Sequence, residues 1–199
     1  MPARAAAQTC SKWTIGGVAT ICIAGVTALI ALGHLSAIRP ARLNVTFEPT
    51  EPWVRHNDVD GNVLWVRVAV ENHGPRRTDA ARHCVGRIVS VTTDGRRRFD
   101  VDTVQLRWAS VPDSRAFDPA DIRNGQCEFL DVAALRPGMP WRLITFDEPG
   151  FHPGYVLDLE AGRRHVVEVA VFADNAAAAR TSIVLDVDAA GQAVVSAAG

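Results

Sequence analysis

Residues 64–74 read LWVRVAVENHG. Leu64, Val66, Val68 and Val70 alternate with Trp65, Arg67, Ala69 and Glu71. A period of two puts all four aliphatic side chains on one side of an extended chain. A helix would scatter them around its axis, so the stretch predicts a half-buried β-strand. Glu71-Asn72-His73-Gly74-Pro75 then breaks it with turn-forming residues.

The same period recurs on both sides. Upstream, Leu43, Val45 and Phe47 alternate with Asn44, Thr46 and Glu48. Pro49, Pro52 and the run 56–62 (HNDVDGN) separate that strand from the next as a long loop. Downstream, residues 84–92 are rich in valine and isoleucine, and Asp94-Gly95 is a hairpin-turn signal. Arg96-Arg97-Arg98 follows it and reads as a solvated hairpin limb. Val104, Leu106 and Trp108 alternate again, and residues 111–126 read as a loop.

Further short strands are predicted at 128–132, at Trp141, Leu143 and Thr145, and at Tyr155, Leu157 and Leu159. Val167, Val169 and Val171, then Ile183, Leu185 and Val187, complete the series. Ala176 to Ala179 offers one helical turn, but four alanines do not hold a helix alone. Residues 189–199 (AAGQAVVSAAG) read as a flexible tail. No helical crossover is visible over residues 43–188, as a parallel sheet would need. The expectation is an all-β domain, an antiparallel β-sandwich of about eight strands, with a small barrel as the alternative.

A different pattern precedes the domain. Trp13 to Gly33 (WTIGGVATICIAGVTALIALG) holds 21 residues without a charge. As a helix it spans about 30 Å, the thickness of a bilayer's hydrocarbon core. The sequence therefore reads as a short basic tail (1–12), a transmembrane helix (13–35), a linker (36–42) and the domain. A cleaved signal peptide is the rival, with Ala31-Leu32-Gly33 offering small residues for cleavage. The apolar run exceeds the roughly 7–15 residues of a usual signal core, which favours an anchor. Basic residues flank both ends, Arg4 and Lys12 before and Arg39 and Arg42 after, so charge bias does not orient the span. The very short leading tail points to an extracytoplasmic domain.

Charge excludes one class of partner. Residues 48–199 carry 22 acidic and 17 basic side chains, a net of −5. Such a domain is poorly suited to binding nucleic acid through phosphates. Of four cysteines, only Cys84 and Cys127 lie in the domain. They are the candidate disulfide in an oxidising compartment; otherwise each is a small buried hydrophobe.

Several segments resemble a bacterial Ig-like pattern. In it, a strand of alternating aliphatics ends in Asn-x-Gly, here Asn72-His73-Gly74, and a glycine turn precedes a late strand, here Ala161-Gly162 before 165–169. Cell-adhesion-related (CARDB-like) modules show it. Leu106-Arg107-Trp108, Asp121-Ile122-Arg123-Asn124-Gly125 and Phe129-Leu130-Asp131-Val132 are similar to segments of uncharacterised bacterial single-pass membrane proteins with one such domain. His83-Cys84 departs from their Asn-Cys-like strand entry. The resemblance implies an Ig-like sandwich over about residues 43–188, and it transfers no catalytic residue.

Candidate chemistry is sparse. His56, His73 and His83 border loops that would converge if they met at one end of the sandwich, but their spacing matches no metal-ligand motif. Asp113, Asp118 and Asp121 offer oxygen ligands for calcium, although turn and strand-entry roles fit them better. No phosphate loop or serine elbow is present, and no cofactor is expected. Trp108 and Trp141 share alternation with apolar neighbours and belong to the core. Trp53 and Trp65 do not, and they are the candidate interaction surface. The reading is a membrane-anchored binding module for another protein or an envelope component, without catalytic activity. The alternatives are a structural accessory subunit of a membrane assembly and, less well supported, a hydrolase with loop-borne histidines.

Overall fold

The computed structural model describes residues 40–57, 62–74, 80–145, 158–188 and 192–198. The basic tail, the apolar run and the expected strand at Tyr155 and Leu157 lie outside the described residues. In chain order the strands are β1 (Leu43–Thr46), β2 (Val54–Asn57), β3 (Val63–Asn72), β4 (Ala81–Thr93), β5 (Arg96–Gln105), β6 (Arg107–Trp108), β7 (Ala120–Ile122), β8 (Cys127–Leu135), β9 (Arg142–Leu143), β10 (His165–Ala173), β11 (Ala176–Val187) and β12 (Ala193–Ala197). A 3-10 turn spans Asp113–Arg115.

These strands form two antiparallel sheets. In the first, β3 and β8 are central; β1 and β2 share one edge of β3, and β6 and β9 share the far edge of β8. The second runs β12-β11-β10-β4, with β5 and β7 along the far side of β4. One buried cluster joins the inner faces, from Leu64, Val66, Val68 and Val70 of β3 to Val167, Val169 and Val171 of β10. Trp108 and Trp141 are 1% and 2% exposed, as their alternation predicts.

Two close approaches set the sheet spacing. Gly86 on β4 faces Leu130 on β8, and a Cβ there would fall 2.3 Å from the leucine Cδ1. The Trp141 indole donates to the Asp186 carbonyl at 3.3 Å and ties β9 to β11. The expected Asp94-Gly95 turn forms, with φ of 46° and 77°. Arg163 bonds the Asp94 carboxylate at 2.8 Å and, with the Arg164 amide, holds its pKa below the ordinary value.

The resemblance-bearing Asn72-His73-Gly74 is a clasp. Asn72 is fully buried. Its Oδ1 accepts from the amides of Arg42 (3.3 Å) and Gly74 (3.2 Å), and its Nδ2 donates to the Ile122 carbonyl at 3.0 Å. One side chain thus ties the entry to β1, the end of β3 and the end of β7. The bond to the amide two residues on is the local turn an asparagine favours.

Ala176–Ala179, whose four alanines hold no helix alone, is taken up as strand, because β10 offers it a ladder reached through Asp174-Asn175. Residues 193–197 are likewise a strand rather than a flexible tail, since β11 pairs with them from Val187↔Ala193 to Ile183↔Ala197.

Candidate functional site

The three loop histidines do not converge. His56 pairs with Leu64 near the start of β3, whereas His73 lies just beyond its end. Eight to nine residues of strand hold them roughly 27 Å apart. His73 bonds Glu71 at 2.5 Å on the surface. His83 bonds Asp174 at 2.6 Å, with both side chains about two-thirds exposed, and the bond raises the histidine pKa. Asp121 accepts the His83 amide at 2.9 Å, and Asp118 pairs with Arg115 at 3.2 Å, so these two acids serve loop and strand-entry roles. No group of three or more metal-ligating side chains occurs among the described residues.

Cys84 and Cys127 are both free. They lie on β4 and β8, one in each sheet. Cys84 is fully buried and donates to the Ala81 carbonyl at 3.4 Å. Burial pushes its pKa to about 11, so the thiol is inert. Cys127 is exposed, contrary to the buried reading, because it opens β8 at the sheet margin. Its pKa is also pushed to about 11, by desolvation first and then by Glu71.

The tryptophans of the expected interaction surface are less open than the sequence implies. Trp53 is partly buried, with its ring edge-on to Phe129 at 6.0 Å and its indole N–H buried. Trp65 is half-buried on the outer face of the first sheet, in a row with Arg55, Ala134 and Arg142. Beside that row Asp131, 1% exposed, takes Arg67 at 2.7 Å and Arg107 at 3.4 Å. Burial pushes the Asp131 pKa up more than the two guanidiniums pull it down. Among the described residues, the exposed large hydrophobic side chains are instead Met139, Phe172 and Val194.

Two of these three border a cleft that sequence reasoning missed. It lies between β2 and β3 of the first sheet and β11 and β12 of the second. One hollow of about 520 Å³ has Leu64, Leu135, Trp141, Val187 and Met139 in its walls. A second, of about 380 Å³, continues it past Val54, Val194 and Val195. The two share His56, Leu64, Gln192 and Ala193. Among the described residues, the lining contains no hydroxyl, thiol or carboxylate side chain, and its ionisable groups are His56 and Arg136. Such walls can hold apolar groups.

The cleft exists because the sandwich is not closed there. His56 shares the inward side of β2 with its neighbour Leu64, yet it is exposed. Across the gap, Ala193 and Val195 face inward opposite Val187 and Leu185 and are only partly buried. No family model, curated protein or solved structure matches the chain.

Proposed function

We propose that the chain is a membrane-anchored, Ig-like binding module without catalytic activity. The observation that carries the reading is the open cleft beside β12. It is concave, and its described walls are largely aliphatic, with Leu64, Leu135, Val187 and Val195 among them, which is what a recognition surface needs. The two surface histidine–carboxylate pairs are exposed and lie outside its lining, which favours binding over hydrolysis. The uncharged run Trp13 to Gly33 supplies the tether. The partner is another protein or an envelope component.

Two measurements test this. Membranes are extracted with alkaline carbonate: an anchored chain stays in the pellet, and release into the supernatant sinks the tether. A photo-reactive residue is then placed at the exposed Met139, at the cleft rim, in the full chain. A discrete adduct in cells supports a binding module, whereas its absence there and at Trp65 removes that reading. A membrane-impermeant thiol reagent on Met139→Cys in intact cells reads the side: labelling before lysis places the domain outside.

A further inference from the structure

The edge of the second sheet has its own chemistry. Ala198 donates to the Ser182 carbonyl at 2.9 Å, and Asp188 donates to the Gln192 carbonyl at 2.9 Å. With the register Ile183↔Ala197 to Val187↔Ala193, these bonds fix the alternation of the ladder. Residues 192, 194, 196 and 198 are the hydrogen-bonded partners of β11. The amides and carbonyls of Ala193, Val195 and Ala197 therefore point away from it. Among the described residues no strand pairs on that side.

Natural edges are normally protected by a charge, a proline or a bulge. β12 reads Ala-Val-Val-Ser-Ala and has none of these, and Val194 is 45% exposed. Of these three residues, Ala193 and Val195 also line the cleft with their side chains, whereas Ala197 is exposed at the end of the strand. Free backbone and open apolar hollow thus lie side by side.

We infer that the seam between β2 and β12 accepts an extended, apolar segment of a partner protein, which adds to β12 as a further antiparallel or parallel strand and places alternate large side chains in the cleft. This rests on the binding-module reading and names its ligand class. Main-chain bonds to Ala193, Val195 and Ala197 supply affinity, and the hollows select the side chains. A second copy of this chain fits worse, because its β12 would offer only Ala193, Val195 and Ala197 to fill hollows of about 520 and 380 Å³. Charge adds direction. The domain is net acidic, yet among the described residues the ionisable groups of the lining are Arg136 and His56. The segment therefore carries a carboxylate at the end that reaches Arg136.

The test uses the full chain in lipid nanodiscs and random nine-residue peptides displayed on phage. Enriched peptides are expected to alternate large apolar residues and to carry an acid at one end. Bound peptide should protect the amides of 193, 195 and 197 from hydrogen exchange, while 194, 196 and 198 are protected already. Ala197→Pro removes an outward amide and leaves the β11 ladder intact; it should weaken binding about tenfold. Ala193→Leu, which fills the hollow, should weaken it as well. Binding that survives Ala197→Pro but not Ala193→Leu would mean an apolar small molecule or acyl chain, and would overturn strand addition. A concentration-dependent dimer abolished by Ala197→Pro, with no peptide enriched, would assign the seam to a second copy and overturn the partner segment. Photo-crosslinking in cells from Trp65 but not from Ala197 would keep the binding module and discard this inference. Crosslinking from Trp65, Met139 and Ala197 all failing would discard both.

Discussion

β1 and β2 lie end to end along one edge of β3, and they behave oppositely. β1 closes the sandwich: Val45 and Phe47 are buried, and Ala41 bridges to Ala176 at the start of β11. β2 leaves it open: His56 faces inward and remains exposed, and the cleft begins at its side. The loops repeat the contrast. At the β1 end Asn72 clasps three segments, while Asn175 bonds the Arg82 amide and the Ala80 carbonyl at 2.9 Å each. At the β2 end Met139 stands 62% exposed. One end of the module is stitched by buried polar bonds, and the other presents apolar surface. A fold that must be both stable and adhesive can divide the tasks this way, because apolar surface left open for a partner does not stabilise the free protein.

The sharpest way to break the contrast is to cut matching side chains at each end. Phe47→Ala should destabilise the domain by about 3 kcal/mol, since it leaves a cavity in a packed site. Chemical denaturation of the full chain reads this, and a loss below about 1 kcal/mol would mean that the β1 end is not closed. Asn72→Ala comes next, at about 2 kcal/mol, because it removes three hydrogen bonds, two of them buried. Asn72→Asp should recover little, as a carboxylate cannot donate to the Ile122 carbonyl.

At the open end His56→Leu should shift stability by less than about 0.5 kcal/mol, the scale of an exposed position. A large loss there would show that the cleft is filled in the free protein. The smallest effect is electrostatic. Asp174 raises the His83 pKa above its ordinary 6.5. A histidine so raised contributes stability that is complete below about pH 6.5 and fades as pH climbs through the raised value. Melting temperature should therefore fall slightly over that window, and His83→Gln should flatten the slope. An unchanged slope would show that the exposed pair contributes nothing to the stitched end.

Much of the architecture was legible because period-two patterns survive any topology. Leu64 to Val70, the valines of β10 and the Asp94-Gly95 hairpin each state their own local geometry. β12 was not legible, because Ala-Val-Val-Ser-Ala carries too little hydrophobic contrast to declare a strand without β11 beside it. The partial burial of Trp53 and Trp65 was not legible either, because neither follows an apolar stripe; Trp53 meets Phe129 edge-on, and Trp65 stands in an outer-face row. The cleft left no local signal at all. Its walls come from residues between Pro49 and Val195, and each wall residue reads as ordinary core or turn.

Sequence alone determined the all-β class, the separation of an uncharged run from an acidic domain, and the burial of Trp108 and Trp141, because each follows from composition or from spacing along the chain. Tertiary structure alone decided that Asn72 is a clasp, that His56 and His73 sit at opposite ends of β3, and that among the described residues no strand pairs beyond β12. Those facts depend on which strands become neighbours and at what register. Register is set by long-range pairing between segments, and no single stretch of chain encodes it.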